Sequence, residues 1–215
     1  MTQRSRGNAV GVLALQGDYE AHARILRALG APVREIRRCA DLADLAGIVL
    51  PGGESTTLLN LMVDEPWFDA LRAFHARGGA IFGTCAGAIL LARRVVPDQP
   101  SLALLDAVIA RNAYGRQADS FQAPIATEDE VGPMAGLFIR APRFRETGAG
   151  VTVLGRLSGE PVAVRDGRVL AATFHPELTG STSLHRVFLE LTDQAGRHSG
   201  GERAPTVMIG DVPPP

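Results

Sequence analysis

The stretch Ala80–Ile89, A-I-F-G-T-C-A-G-A-I, decides how this chain folds. Ala80, Ile81 and Phe82 read as a buried strand. Small residues then flank Cys85 and lead into an apolar helical pattern. A cysteine on a sharp strand-to-helix turn needs such neighbours, because a bulky side chain would collide with the turn or with a substrate. Gly83, Thr84, Ala86 and Gly87 supply them. A thiol at the start of a helix also faces unpaired N–H groups and the positive end of the dipole, which favour thiolate. The string reads as a nucleophile elbow with sulfur in place of oxygen. A buried core cysteine is the plain alternative.

Upstream of the elbow the chain alternates strand and helix. Ala9–Leu15 is a continuous apolar run, as in a central strand covered on both faces. Gln16-Gly17-Asp18 turns it into a helix over Tyr19–Leu29, with Ala21, Ile25, Ala28 and Leu29 on one face and Gly30 as its stop. A more exposed strand follows at Val33–Arg38, then a short helical piece at Asp41–Ala46. A buried strand at Gly47–Leu50 ends abruptly in Pro51-Gly52-Gly53-Glu54. Helices are expected from Ser55 and over Pro66–Arg77, before Gly78-Gly79 and the elbow strand. This order predicts an α/β fold, a three-layer, mostly parallel doubly wound sheet.

Downstream the texture changes. The elbow helix is expected to reach Arg94. Strands are expected at Leu104–Ile109, Gly136–Ala141, Val151–Leu157, Pro161–Arg165 and Arg168–Phe174, with a hairpin turn at Asp166-Gly167. They predict an antiparallel addition to the sheet's edge. A last amphipathic helix is expected over Ser183–Ala195. One domain is expected over residues 1–196, followed by a disordered tail over residues 197–215 that ends in three prolines.

Composition narrows the function. The 215 residues are 46% hydrophobic and 21% charged with a net charge of -1, which offers nothing to nucleic acid or an anionic membrane. The two cysteines, Cys39 and Cys85, stand in no metal-ligand spacing, which argues against a zinc site and fits a reducing, cytoplasmic setting. No stretch approaches the ~20 apolar residues that span a bilayer.

A reactive cysteine requires a base, and the base an orienting group. Of the five histidines, His22, His75, His185 and His198 read as surface or helix-capping residues. His175 ends a strand at the edge where an open α/β sheet places its site. Pro176 keeps it extended, so His175 and Glu177 share a face, and the carboxylate can fix the imidazole tautomer. Pro51-Gly52-Gly53-Glu54-Ser55-Thr56 ends the neighbouring strand, where glycines leave N–H groups free for a developing oxyanion. A plain loop with Ser55 as N-cap is the alternative.

Together, G-T-C-A-G, P-G-G-E-S-T and F-H-P-E resemble the motifs of the class I, triad glutamine amidotransferases. L-Q-G-D near the start, R-N-A-Y-G-R-Q at Arg111–Gln117, Ser120-Phe121 and F-I-R-A-P at Phe138–Pro142 make the chain similar to the glutaminase subunits of pyridoxal 5′-phosphate synthases. The resemblance spans roughly Val10–Leu191. It implies that Cys85 attacks the side-chain amide of L-glutamine, His175 protonates the leaving amine and Glu177 orients His175. It carries substrate contacts onto Gly52, Gly53, Glu54, Arg111, Ile139 and Arg140. Arg111 and Arg140 both suit an α-carboxylate; which one reaches it through its side chain stays open.

The resemblance also implies no cofactor or metal of the chain's own. The ammonia passes to a separate synthase (lyase) subunit in a large hetero-oligomer, docked near the elbow helix and the Gln16-Gly17 and Asn112–Gln117 loops. A peptide flip at Gly52-Gly53 is the expected switch. The chain has no lysine, so Schiff-base chemistry with a sugar phosphate belongs to the partner. The alternatives are a glutaminase subunit serving another synthase, such as that for imidazole glycerol phosphate, a stand-alone γ-glutamyl hydrolase, and a non-catalytic docking protein on the same fold.

Overall fold

The computed structural model describes residues 9–111, 113, 120–128 and 131–198. Five strands form the parallel heart of the sheet: β1 (Ala9–Leu13), β2 (Val33–Ile36), β3 (Leu45–Leu50), β4 (Ala80–Thr84) and β12 (Val169–Ala172). They lie in the order β2-β1-β3-β4-β12, each parallel to its neighbour. The order reverses at β1, so a crevice opens beyond the carboxyl ends of β1 and β3.

Helices cover both faces. They are α1 (Tyr19–Ala28), α2 (Ser55–Leu61), α3 (Trp67–Ala76), α4 (Ala86–Leu91) and α5 (Ser183–His198). Strand alternation divides the core into two. Ile48, Leu50 and Ile81 point into one cluster with Leu58, Trp67, Leu71 and Phe74 from α2 and α3. Val49 and Phe82 point into the other with Ala23, Leu26, Leu184 and Phe188 from α1 and α5. Truncating a side chain as deep as Phe82 costs about 3–5 kcal/mol.

Beyond β12 the sheet runs antiparallel through β11 (Glu160–Asp166), β10 (Thr152–Leu157), β7 (Phe121–Thr127) and β8 (Met134–Phe138). This is the expected edge addition, and Gly167 makes its hairpin turn at φ 53°. A second, three-stranded sheet of β5 (Ala92–Val96), β6 (Leu105–Ala110) and β9 (Arg143–Thr147) was not expected.

Other local readings also need correction. The elbow helix stops at Leu91, and residues to Val96 are β5, because Ala92–Val96 pairs in parallel with β6. The helical piece expected over Asp41–Ala46 is a 3-10 turn at Cys39–Leu42, and β3 already begins at Leu45. In α1 the buried residues are Ala21, His22, Ala23 and Leu26, so the face centred on Ile25 and Ala28 is displaced toward His22. The last helix continues to His198, three residues past the expected Ala195. The tail beyond His198 lies outside the described residues, as does most of Arg111–Gln117. Among the described residues no helix is long and apolar enough to cross a membrane.

Candidate active site

Cys85 sits where β4 passes into α4, with φ 46° and ψ -103°. A non-glycine residue there costs on the order of 1–3 kcal/mol and persists only when its surroundings enforce it. They do: the Cys85 N–H donates to Ala172 O at 2.9 Å, and Cys85 O accepts from the Ile89 N–H at 3.1 Å. Small neighbours are required as well. A Cβ on Gly87 would collide with the Leu50 carbonyl of the adjacent strand. Every residue of α4 is buried. The elbow helix therefore offers no surface of its own to a partner.

His175 follows β12, the strand on the other side of β4. Its N–H donates to Leu137 O at 2.9 Å, which fastens it to the end of β8. Pro176 then starts a 3-10 turn, Pro176–Leu178, that brings Glu177 round beneath the imidazole. His175 Nδ1 and Glu177 Oε1 are 2.7 Å apart, which leaves Nε2 for Cys85. Burial pulls His175 down, but the Cys85 sulfur and the Glu177 carboxylate outweigh it and raise it to about 10. Burial likewise pushes Glu177 up. The neighbouring imidazoles of His22 and His175 reverse this and hold it well below the usual carboxylate range.

Gly52, after β3, fits between the Cys85 and His175 side chains. A Cβ there would stand 2.9 Å from His175 Nδ1 and 3.1 Å from Cys85 Cβ. Glu54 caps α2 by accepting from the Thr57 N–H at 2.7 Å and from the Thr56 hydroxyl. Partial burial opposes its ionisation, but these bonds prevail and lower it to about 2. Its charge is thus available to a ligand's ammonium group.

Above Cys85 and His175 opens a cavity of about 260 Å³, also lined by Gly53, Glu54, Arg111, Ile139 and Arg140. Arg111 Nη1 donates to Gln99 Oε1 at 2.5 Å and to Ser55 Oγ at 3.2 Å. Its Nε is buried without a partner. Arg140 holds φ at 43° on the far wall, and its side chain is exposed.

This architecture coincides with a known family. A model of the SNO glutamine amidotransferase family matches residues 12–194. The chain belongs to the SNO glutamine amidotransferase family.

Relatives within the family are near in sequence. The pyridoxal 5′-phosphate synthase subunit PdxT of Deinococcus radiodurans is 51% identical over 191 residues, 86% of this chain and 97% of that protein. PdxT of Thermus thermophilus is 51% identical over 185 residues, 85% of this chain and 96% of that protein. A crystal structure described as glutamine amidotransferase superposes with TM-score 0.80 at 49% identity, covering 86% of this chain and 98% of that one. A glutamine amidotransferase from Thermotoga maritima has TM-score 0.58 at 13% identity over 91% of this chain and 86% of its own, and shares the fold alone.

In this SNO-family chain the site residues anticipated from sequence come together. Cys85, His175, Gly53, Glu54, Arg111, Ile139 and Arg140 line one cavity, Gly52 lies beneath it, and Glu177 stands behind His175. Asp18, Ser55 and Ile89 complete the lining and were not anticipated. Asp18 approaches from the β1 loop, with one ligand atom each of Asp18, His175 and Glu177 within 4.8 Å of one another.

The larger miss concerns His22 and His185, which read as surface or helix-capping residues and are fully buried. His22 lies one helical turn before the buried Leu26, an i, i+4 spacing that could have flagged it. Cys39 packs against the core. Burial and its contact with Glu65 push its thiol up to about 12.

Proposed function

We propose that the chain hydrolyses the side-chain amide of L-glutamine and delivers the ammonia to a synthase subunit that builds pyridoxal 5′-phosphate, within a large hetero-oligomer. The run of Cys85, His175 and Glu177 at the foot of the cavity carries this reading, in a chain half identical to PdxT subunits.

Cys85 Sγ attacks the amide carbon, and the carbonyl electron pair moves onto oxygen. The N–H of Ala86, which has no acceptor inside the helix, and those of the Gly52-Gly53 turn serve that oxyanion. His175 Nε2 gives its proton to the amine, the C–N bond breaks, and ammonia leaves a γ-glutamyl thioester. Once the sulfur is acylated, His175 loses one of the two attractions that raise it. It then takes a proton from water, whose oxygen attacks the thioester and releases glutamate. Glu177 holds the imidazole tautomer throughout.

Arg111 binds the substrate carboxylate through its side chain; Arg140, with its strained backbone, shapes the wall beside Ile139. Two unpaired cysteines fit a reducing cytoplasm.

Glutamate release from L-glutamine tests this, measured for the purified chain alone and mixed with the synthase subunit, with Cys85→Ala as blank. Activity that appears or rises strongly in the mixture supports a partner-gated ammonia donor. Full activity alone, unchanged by the synthase, would make the chain a free-standing hydrolase.

A further inference from the structure

Behind the imidazole–carboxylate pair lies a second set of buried polar side chains that the proposed chemistry does not use. Thr84 ends β4 one residue before Cys85, His22 comes from α1 and His185 from α5. All are fully buried. His22 Nε2 is hydrogen-bonded with Thr84 Oγ1 at 3.2 Å and lies 3.3 Å from Glu177 Oε2, a buried oxygen with no hydrogen-bond partner of its own. His22 Nδ1 lies 2.9 Å from His185 Nε2. Phe82 packs edge-on against both rings, with centroids at 6.0 Å and 5.6 Å. Three polar side chains sealed in an apolar core are costly unless they act together.

The proton on His185 follows from its unpartnered ring nitrogen. His185 Nδ1 is buried with no partner. A buried N–H without an acceptor is rarer than an unused lone pair, so the His185 proton sits on Nε2 and is donated to His22 Nδ1. Burial, with His22 adding to it, pushes His185 down to about 3, so it is neutral and has only one proton to place. His22 must then carry its own proton on Nε2, toward Thr84 and Glu177.

We infer that His22 is a positioning residue for the reaction: its Nε2–H dipole, set by His185, faces Glu177 Oε2 and attracts it, so that Oε1 stays on His175. Glu177 thus has an imidazole nitrogen within 3.3 Å of each oxygen, and α1 and α5 are tied to the orientation of a base that follows β12. The inference rests on the proposed roles of Cys85, His175 and Glu177.

The test compares His22→Leu, His22→Gln, Glu177→Gln and the His22→Leu/Glu177→Gln double variant. Each is the full chain in complex with the synthase subunit, with Cys85→Ala as blank. His22→Leu lowers kcat roughly 10- to 100-fold, the loss typical of removing a group that orients a reacting residue's partner. KM for glutamine stays where it was. His22→Gln, whose amide N–H reaches the Nε2 position, recovers most of that loss. The double variant loses no more than Glu177→Gln alone, because both act through one carboxylate.

Wild-type kcat in His22→Leu, equal losses in the Leu and Gln variants, or additive losses in the double variant would each overturn the inference. Thermal unfolding reports whether His22→Leu is folded. If it is not, His22→Gln decides: near-wild-type kcat supports the inference, and a loss as large as that of Glu177→Gln overturns it. Turnover surviving in Cys85→Ala would instead overturn the assignment of the reacting groups, a result separable from failure at His22.

Discussion

His175 Nδ1 and Glu177 Oε1 stand 2.7 Å apart although a single proline separates them in the chain, and both are buried. The proline begins a 3-10 turn that folds the carboxylate back beneath the ring. Glu177→Gln removes the acceptor while keeping the shape, so kcat for glutamine hydrolysis is expected to fall roughly 10²–10⁴-fold, the usual range for general acid–base assistance. Steady-state kinetics of the complex check this. A loss below threefold would show that the imidazole needs no carboxylate.

The raised His175 makes stability depend on pH in a definite direction. Its folded value is about 10 against an ordinary 6.5. The pair's contribution is therefore fully present below 6.5 and lost as pH rises through about 10. The melting temperature of the wild type is expected to decline between neutral pH and pH 10 more than that of His175→Gln. Parallel melting curves for the two proteins would contradict the assignment.

Two glycines separate activity from folding. Gly52→Ala places a methyl group against His175 and Cys85, so it is expected to abolish glutamine hydrolysis while the far-ultraviolet circular dichroism stays native. Gly87→Ala drives a methyl group into the Leu50 carbonyl, backbone that cannot step aside. It is expected to destabilise the fold by about 1–3 kcal/mol or more, the cost of overpacking. Denaturant titration distinguishes the two effects.

Arg111 and Arg140 are expected to differ. Arg111 is held by Gln99 and Ser55 with its Nε unpartnered beside the cavity, whereas the Arg140 side chain is exposed. Arg111→Leu is expected to raise KM for glutamine about 10- to 100-fold, the worth of a hydrogen bond to a charged group. Arg140→Ala should raise it less. The reverse order in initial-rate measurements would assign the carboxylate to Arg140.

The two cysteines should part under alkylation. Cys85 opens on the cavity, whereas burial and Glu65 push the Cys39 thiol up to about 12. Iodoacetamide at neutral pH is expected to label Cys85 first, as peptide mass spectrometry would show. L-glutamine should protect it.

Local reading of the chain reaches far where one residue's neighbours in sequence are also its neighbours in space. The continuous apolar runs of β1 and β3, the small residues around Cys85 and the extended His175-Pro176-Glu177 segment all follow from nearest-neighbour sterics and periodicity. They suffice for the alternating parallel half of the sheet and for three of the site's groups. β5, β7 and β9 escaped notice because their sequences alternate weakly. Phe121–Thr127 carries a proline and buries only Ile125, and Ala92–Val96 continues the apolar pattern of α4. What makes them strands is pairing with other segments of the chain, from β8 beside β7 to β6 beside β5 and β9.

The sequence by itself determined the elbow, the doubly wound order, the family and the three side chains Cys85, His175 and Glu177 that the fold brings together, because each is encoded in short strings whose backbone preferences are local. Only the tertiary structure decided the rest. His22 and His185 lie 163 residues apart, yet they meet behind Glu177 at the packing of α1 and α5 on one face of the sheet. Gln99, from the loop after β5, and Ser55, at the start of α2, converge on Arg111. Burial and long-range partnership turn a helix histidine into part of a buried polar chain, and neither quantity is a property of a residue's neighbours along the sequence.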